Sequence, residues 1–178
     1  MKYSFKKAET EAELEQVFRL NHDVFAEEVG QYSAVPEGRL VDKFHDKNHY
    51  AIAVSEDRVV GMIAYHDQPP FSVEQKLENP RVLESLGKLA EIRLLAIHRS
   101  HRNGMLLRGL FLEVYRLSRN HDAFVISGRR EEALMYRTLG FEPLGSAVQS
   151  GEAWYIPMYV RHADLRQRAT RWEQKVVR

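Results

Sequence analysis

Glu91-Ile92-Arg93-Leu94-Leu95-Ala96-Ile97, running into the basic turn His98-Arg99-Ser100-His101-Arg102-Asn103-Gly104, is the stretch whose reading decides the fold. From Leu89 to His98 the chain is apolar apart from Glu91 and Arg93, the pattern of a strand buried on both faces. Gly104 then opens a helix with Leu107, Leu110, Phe111, Val114 and Ser118 along one side. The start of a helix offers unpaired backbone N–H groups and a positive dipole end, and glycine lets the chain approach a phosphate closely. Arg99 and Arg102 add charge where phosphates would sit. The same pattern also serves many solvated turns, so phosphate cradle and plain connector both stand at this point.

Upstream, Thr10 followed three residues later by Glu13 marks a helix start by a capping box. The helix places Leu14, Val17, Phe18, Asn21, Val24 and Phe25 at helical spacing and ends near Gly30. Residues 31–48 read as irregular. Tyr50 to Val54 and Val59 to Tyr65, separated by Glu56-Asp57-Arg58, predict an antiparallel hairpin. The segment from Asp67 to Lys88 opens with Pro69-Pro70 and interleaves Phe71, Val73, Leu77, Val82, Leu83 and Leu86 with polar residues. It is too apolar for a solvated linker, so short helical pieces forming a lid or pocket wall are expected. Downstream come a strand at Ala123 to Ser127, a helix from Glu131 to Leu139 closed by Gly140, and a last strand from Glu152 to Tyr159. The predicted order is β-α-β-β-β-α-β-α-β.

A length of 178 residues accommodates one ordinary domain, with boundaries expected at 1–160. Residues 161–178 hold six Lys or Arg against two acids, with Leu165, Trp172 and Val176 near one face, and predict a basic C-terminal helix. Lys and Arg total 26 against 25 for Asp and Glu, so no field of one sign recruits nucleic acid or a membrane surface. No stretch approaches the roughly 20 apolar residues of a membrane span, and no signal-peptide run opens the chain; a cytoplasmic protein is expected. The absence of cysteine excludes disulfides, thiolate metal sites and a cysteine nucleophile. His45 and His49 are four apart but lack the glutamate and third ligand of a zinc site, so no metal is expected. There is no P-loop, no Gly-x-Ser-x-Gly and no Gly-x-Gly-x-x-Gly.

About thirty residues after the glycine turn stands Ala133-Leu134-Met135-Tyr136-Arg137-Thr138-Leu139-Gly140-Phe141. A helix carrying Tyr and ending in Leu-Gly-Phe, one strand after a phosphate-type turn, resembles the GNAT N-acetyltransferase superfamily over roughly residues 3 to 160. The resemblance implies an α/β (α+β) GNAT-like acyl-CoA N-acyltransferase fold, a mixed central sheet flanked by helices. It implies that backbone groups of Leu95, Ala96 and Ile97 hold pantetheine, and that Arg99, Arg102, Asn103, Gly104 and Met105 hold the phosphates. The co-substrate would be acyl-CoA or acyl-phosphopantetheine. Where the superfamily pattern has Arg or Gln the chain has His101, and where it has a small residue the chain has Leu106, which would crowd a pyrophosphate.

Leu20-Asn21-His22-Asp23-Val24-Phe25-Ala26-Glu27-Glu28-Val29-Gly30 and Asp42-Lys43-Phe44-His45-Asp46 are similar to the N-terminal part of N-acyl amino acid synthases and autoinducer synthases. Glu91 and Arg93 resemble their Glu-x-x-Arg strand, one residue short. This resemblance implies long acyl donors, with acyl carrier protein among the partners, and an amine or amino acid acceptor met by Phe25, Asp42, Asp46 and Arg93. A homodimer is compatible with it. Phe71 and Leu83 would wall the acyl chain.

Acyl transfer to an amine needs a base, an oxyanion donor and an acid for the leaving thiolate. Tyr136 is the candidate acid; its bland alternative is a ring packed beside Gly140. Glu91 is the candidate base, because burial in an apolar strand would raise its pKa. The alternative is a salt bridge to Arg93 on the same face. Asp42 and Asp46 would bind the acceptor amine, or as exposed loop carboxylates meet only water. The expected function is N-acyl transfer from an acyl thioester to a small amine. A simple acetyl-CoA-dependent acetyltransferase and a non-catalytic binding module of the same fold are the alternatives.

Overall fold

The computed structural model describes residues 2–176. Its regular elements are β1 (Ser4–Lys7), α1 (Glu11–Asn21), β2 (His49–Ser55), β3 (Arg58–His66), β4 (Leu89–Ile97), α2 (Gly104–Leu117), β5 (Ala123–Arg129), α3 (Ala133–Leu139), β6 (Glu142–Pro143), β7 (Val148–Ser150), β8 (Ala153–Arg161) and α4 (His162–Val176). The nine expected elements are present in the expected order and are followed by the expected C-terminal helix, α4, with β6 and β7 added. Strands of two and three residues leave no periodic trace in a sequence, which is why β6 and β7 escaped notice. Val177 and Arg178, the end of the expected basic helix, lie outside the described residues.

The chain divides into two compact units. The first comprises residues 2–65, 94–117 and 172–176. In it, β1 pairs antiparallel with β2, and β2 with β3. The β2–β3 turn is two residues long, Glu56 and Asp57, with φ of 51° and 60°, the left-handed pair that matches the twist of a tight hairpin. Thr10 caps α1 as expected: its hydroxyl accepts from the Glu13 N–H at 3.2 Å, and the Glu13 carboxylate accepts from the Thr10 N–H at 3.2 Å. Beyond Asn21 the helix widens into a π-turn over His22–Glu28. Val17, Phe18, Leu20 and Val24 from this stretch pack with Tyr50, Ile52, Met62, Leu94 and Ala96. On α2, Gly109 faces the ring of Phe5, and Leu106 and Leu110 close on Gly61.

The second unit comprises residues 66–93 and 118–171. The start of β4 runs parallel to β5, from Leu89 opposite Ala123 to Ile92 opposite Ile126. A parallel pair requires a crossover between its strands, which α2 supplies in the sequence. Strand β5 pairs antiparallel with β8, from Ala123 opposite Arg161 to Arg129 opposite Tyr155, and β6 and β7 pair with β8. The connection from Asp67 to Lys88 folds into two short 3-10 helices, Ser72–Lys76 and Pro80–Leu86. Val73, Leu83 and Leu86 from it pack with Leu89, Ala123 and Val125. Both ends are tied to consecutive residues. Asp67 meets His121 Nε2 at 3.1 Å, and Lys88 exchanges two hydrogen bonds with Asp122, its N–H to the carboxylate at 2.8 Å and its carbonyl from the Asp122 N–H at 2.7 Å.

A methyl group at position 109 would collide with the Phe5 ring, so Gly109→Ala must displace that ring from the core. Overpacking of this kind costs roughly 1–3 kcal/mol. The thermal midpoint should fall by about 2–4 °C for each of those kcal/mol, read by calorimetry.

Candidate active site

Strand β4 carries Glu91 as a charged residue with 0% exposure in an apolar strand. A buried carboxylate must have all its hydrogen bonds supplied by protein. Oε2 accepts from the Ser72 N–H at 2.8 Å and meets His66 Nε2 at 3.0 Å. Oε1 accepts from the Ser72 hydroxyl at 2.9 Å and from the Val73 N–H at 2.7 Å. Burial is the largest single influence on this group and pushes its pKa up, but the hydrogen bonds from His66, Ser72 and Val73 together outweigh it. The pKa lies below the ordinary carboxylate value. The rise expected of a general base is therefore not found, because the acceptor oxygens face donors rather than apolar atoms. The expected salt bridge takes an indirect form: Arg93 Nη1 donates to the Ser72 hydroxyl at 2.7 Å, one bond removed from the carboxylate.

Tyr136, on α3, is 4% exposed. Its ring lies against Gly128, where an added Cβ would fall 2.9 Å from Cδ2, and edge-on to Phe141 at 5.9 Å between centroids. The hydroxyl reaches Glu132 Oε2 at 3.5 Å. Burial, then the neighbouring Glu132 carboxylate, holds the phenol far above its ordinary pKa. The phenol stays protonated across the accessible pH range and is a weaker acid than a solvated one. Its packing partners are Gly128 and Phe141, rather than Gly140.

The second half of β4 and its turn belong to the first unit. Leu95 and Ile97 are half-buried and Ala96 buried. Arg99 is exposed. Arg102 pairs with Glu28 and donates from Nε to the Ile97 carbonyl at 3.0 Å. Two groups assigned to the donor, the Arg102 guanidinium and the Ile97 carbonyl, thus hold each other. Asn103 Oδ1 caps α2 by accepting from the Leu106 N–H at 2.9 Å. Gly104 opens the helix, followed by a half-buried Met105. The expectation that Leu106 crowds the turn is corrected. Its side chain is fully buried, pointing into the core against Gly61, so it leaves the approach to the turn's backbone open.

Of the acceptor candidates, Phe25 is half-buried and edge-on to Tyr32 at 6.5 Å between ring centroids, and Asp46 is exposed. Asp42 is not the solvated loop carboxylate of the bland reading. It is 8% exposed, and Asn48 Nδ2 donates to its Oδ2 at 2.7 Å. Beside them His45 Nδ1 meets the Tyr50 hydroxyl at 2.9 Å. Sequence reasoning missed Asn48 and Tyr50, which stand where an irregular segment enters a strand and carry no periodic signal. It also missed His66 and Ser72, the partners of Glu91; the one available sign was a histidine ending an apolar strand.

In the second unit the Asp67 to Lys88 connection lines an open pocket of about 450 Å³. Phe71, Leu83 and Leu89 form its apolar wall, with Asp67, Glu74 and Arg81 among its polar lining. Leu83 and Leu89 belong at the same time to the core cluster that holds Val73 and Leu86.

The architecture defines a class, the GNAT-like fold. The chain superposes on a CoA-dependent acyl-homoserine lactone synthase, BjaI, with a TM-score of 0.78 at 23% identity, over 98% of this chain and 89% of that one. It is also similar to a putative N-acetyltransferase from Lactobacillus plantarum (0.67, 16%, over 90% and 99%). FeeM, an N-acyl amino acid synthase from uncultured soil microbes, superposes at 0.73 and 15% identity over 93% of each chain. At these identities the likeness is one of fold. No curated protein matches the sequence. The family model described as N-acyl amino acid synthase FeeM matches residues 16–164, a span that runs through both units, and the chain belongs to that family. It is an acyltransferase enzyme. Among the described residues no helix is long and apolar enough to cross a membrane.

The depressed pKa of Glu91 has a stability consequence whose sign is fixed. The unfolded carboxyl, near 4.3, takes up a proton before the folded one does, so the stability Glu91 contributes is complete above about pH 4.3 and is lost as pH falls below it. Glu91→Gln should lower stability at pH 7 by roughly 1–3 kcal/mol, since an amide N–H₂ then faces a backbone donor. It should also flatten the decline on acidification. Urea unfolding of both proteins at neutral and acidic pH checks this; parallel declines would contradict it.

Proposed function

We propose that this enzyme moves a medium or long acyl chain from an acyl thioester, coenzyme A or the arm of an acyl carrier protein, to the amine of an amino acid or similar small molecule. The observation that carries this reading is the cavity built by the Asp67 to Lys88 connection, with Phe71 and Leu83 in its wall. Its volume is that of a small-ligand pocket, and acetyl would leave most of it unfilled. That BjaI is described as CoA-dependent and bound to isopentyl-CoA supports a coenzyme A donor, with the phosphates met by Arg99 and the α2 turn. Asp42 and Asp46 are proposed to hold the acceptor amine.

In the reaction the neutral amine attacks the thioester carbonyl, a C–N bond forms, the C–S bond breaks, the nitrogen gives up one proton, and the departing thiolate takes one up, so that the donor of the thiol proton is restored by the proton the nitrogen releases. Tyr136 is the proposed donor of the thiol proton, a role supported by its place on α3, the helix that ends in Leu139-Gly140. Its raised pKa opposes full ionisation, so the phenol donates late, to a thiolate that is nearly formed. Tyr136→Phe should reduce kcat about 10²-fold with little change in donor KM. Wild-type turnover in that variant would remove Tyr136 from the chemistry.

Chain-length dependence tests the reading as a whole. Each buried methylene contributes roughly 0.8 kcal/mol, so kcat/KM should climb steeply from acetyl to octanoyl donors. Phe71→Asp should abolish that climb. An intact enzyme that favours acetyl over octanoyl would be a simple acetyltransferase.

A further inference from the structure

Phe71 precedes the 3-10 helix Ser72–Lys76, at the position where a serine, threonine, aspartate or asparagine would ordinarily satisfy the first helical N–H groups. A phenyl ring has no acceptor to offer. The N–H groups of Ser72 and Val73 are instead taken by the two oxygens of Glu91, at 2.8 and 2.7 Å, from a strand far along the chain. The cap and the cavity wall are thereby separated: one residue supplies the acceptor, and position 71 is released to present an aromatic ring to the cavity.

One further contact meets that ring, and two brace the backbone beside it. His66, fully buried, meets Glu91 Oε2 through Nε2 at 3.0 Å and stacks on Phe71, 5.5 Å between centroids and 18° between planes. The Phe71 N–H donates to Glu74 Oε1 at 3.2 Å, and Glu74 itself lines the cavity. Arg93 braces the Ser72 hydroxyl at 2.7 Å, and that hydroxyl donates to Glu91 Oε1 at 2.9 Å. Glu91 is absent from the cavity lining, and each of its oxygens already meets two groups.

We infer that Glu91 is a positioning residue for acyl-chain selection: its buried carboxylate caps the Ser72–Val73 backbone and, with the stacked His66, holds Phe71 in the wall of the acyl cavity. This rests on the reading of that cavity as the acyl pocket. Glu91 touches neither the chain nor the reacting atoms. It sets how well long donors fit.

The test is the ratio of KM for an octanoyl donor to KM for an acetyl donor, measured with the full chain as wild type, Glu91→Gln and Ser72→Ala, together with the pH profile of kcat. An amide at position 91 cannot accept from both backbone groups with both of its atoms, so the ratio should rise on the order of 10-fold in Glu91→Gln, because small displacements of a binding wall are costly. Ser72→Ala removes only the hydroxyl link and should raise the ratio about 3-fold; it carries the test alone where Glu91→Gln fails to fold. The acidic limb of the kcat profile should keep its position in both variants. Loss of that limb in Glu91→Gln, with kcat reduced equally on both donors and the ratio unmoved, would make Glu91 the proton acceptor and overturn the inference. An unmoved ratio in a variant that otherwise behaves as wild type would overturn it too. A wild-type enzyme without preference for octanoyl refutes the acyl pocket, and the inference with it, whereas a preference that survives both substitutions refutes the inference alone.

Discussion

A carboxylate withdrawn from water is tolerated only where protein donors replace its hydration, and Glu91 is the group around which the second unit of this chain is arranged. Its requirement for donors draws the first turn after Pro69-Pro70 toward β4, and the donors it finds are backbone groups that no neighbouring side chain caps. The same four bonds reverse the direction in which burial alone would move its pKa. An apolar residue at this place would leave two buried N–H groups without acceptors. A carboxylate with fewer donors would be driven to protonate.

That interaction also alters how the chemistry is divided among residues. A glutamate in a central strand of an acyltransferase invites assignment as a base, yet here its oxygens hold the backbone of a segment that lines a pocket. Tyr136 presents the complementary case: buried between Gly128 and Phe141, it rests protonated at ordinary pH, so in the proposed role any proton it passes on must be replaced as it leaves. The turn before α2 departs from the superfamily pattern at Leu106, but the departure is absorbed in the core against Gly61, and the Asn103 side chain supplies the cap.

Much of the architecture was legible from the sequence because periodicity and turn chemistry report local structure faithfully. Thr10 with Glu13, the Glu56-Asp57 turn and the helix opened by Gly104 are all signals within a few residues of their effect. The apolar character of the Asp67 to Lys88 connection announced a wall, and Phe71 and Leu83 stand in one. What escaped was non-local or made of backbone. The sign of the Glu91 shift depends on N–H groups 18 and 19 residues away, which carry no letter in a sequence. Asp42 looked solvated because the residue that covers it, Asn48, lies in an irregular stretch. Leu106 was placed at the turn by motif alignment, although its spacing of four from Leu110 put it on the buried face of the helix.

The connection that forms the cavity begins at Asp67, tied to His121, and ends at Lys88, tied to Asp122. A loop whose two ends are anchored on adjacent residues leaves and rejoins the sheet at one place, and here its body is tied down as well, by Val73, Leu83 and Leu86 in the core and by the Ser72 and Val73 N–H groups on Glu91. On the proposed reading, most of the acyl-pocket wall comes from one contiguous cassette, which recombination between related genes could exchange in one event so long as the incoming segment still supplies the donors that Glu91 requires from the strand beneath.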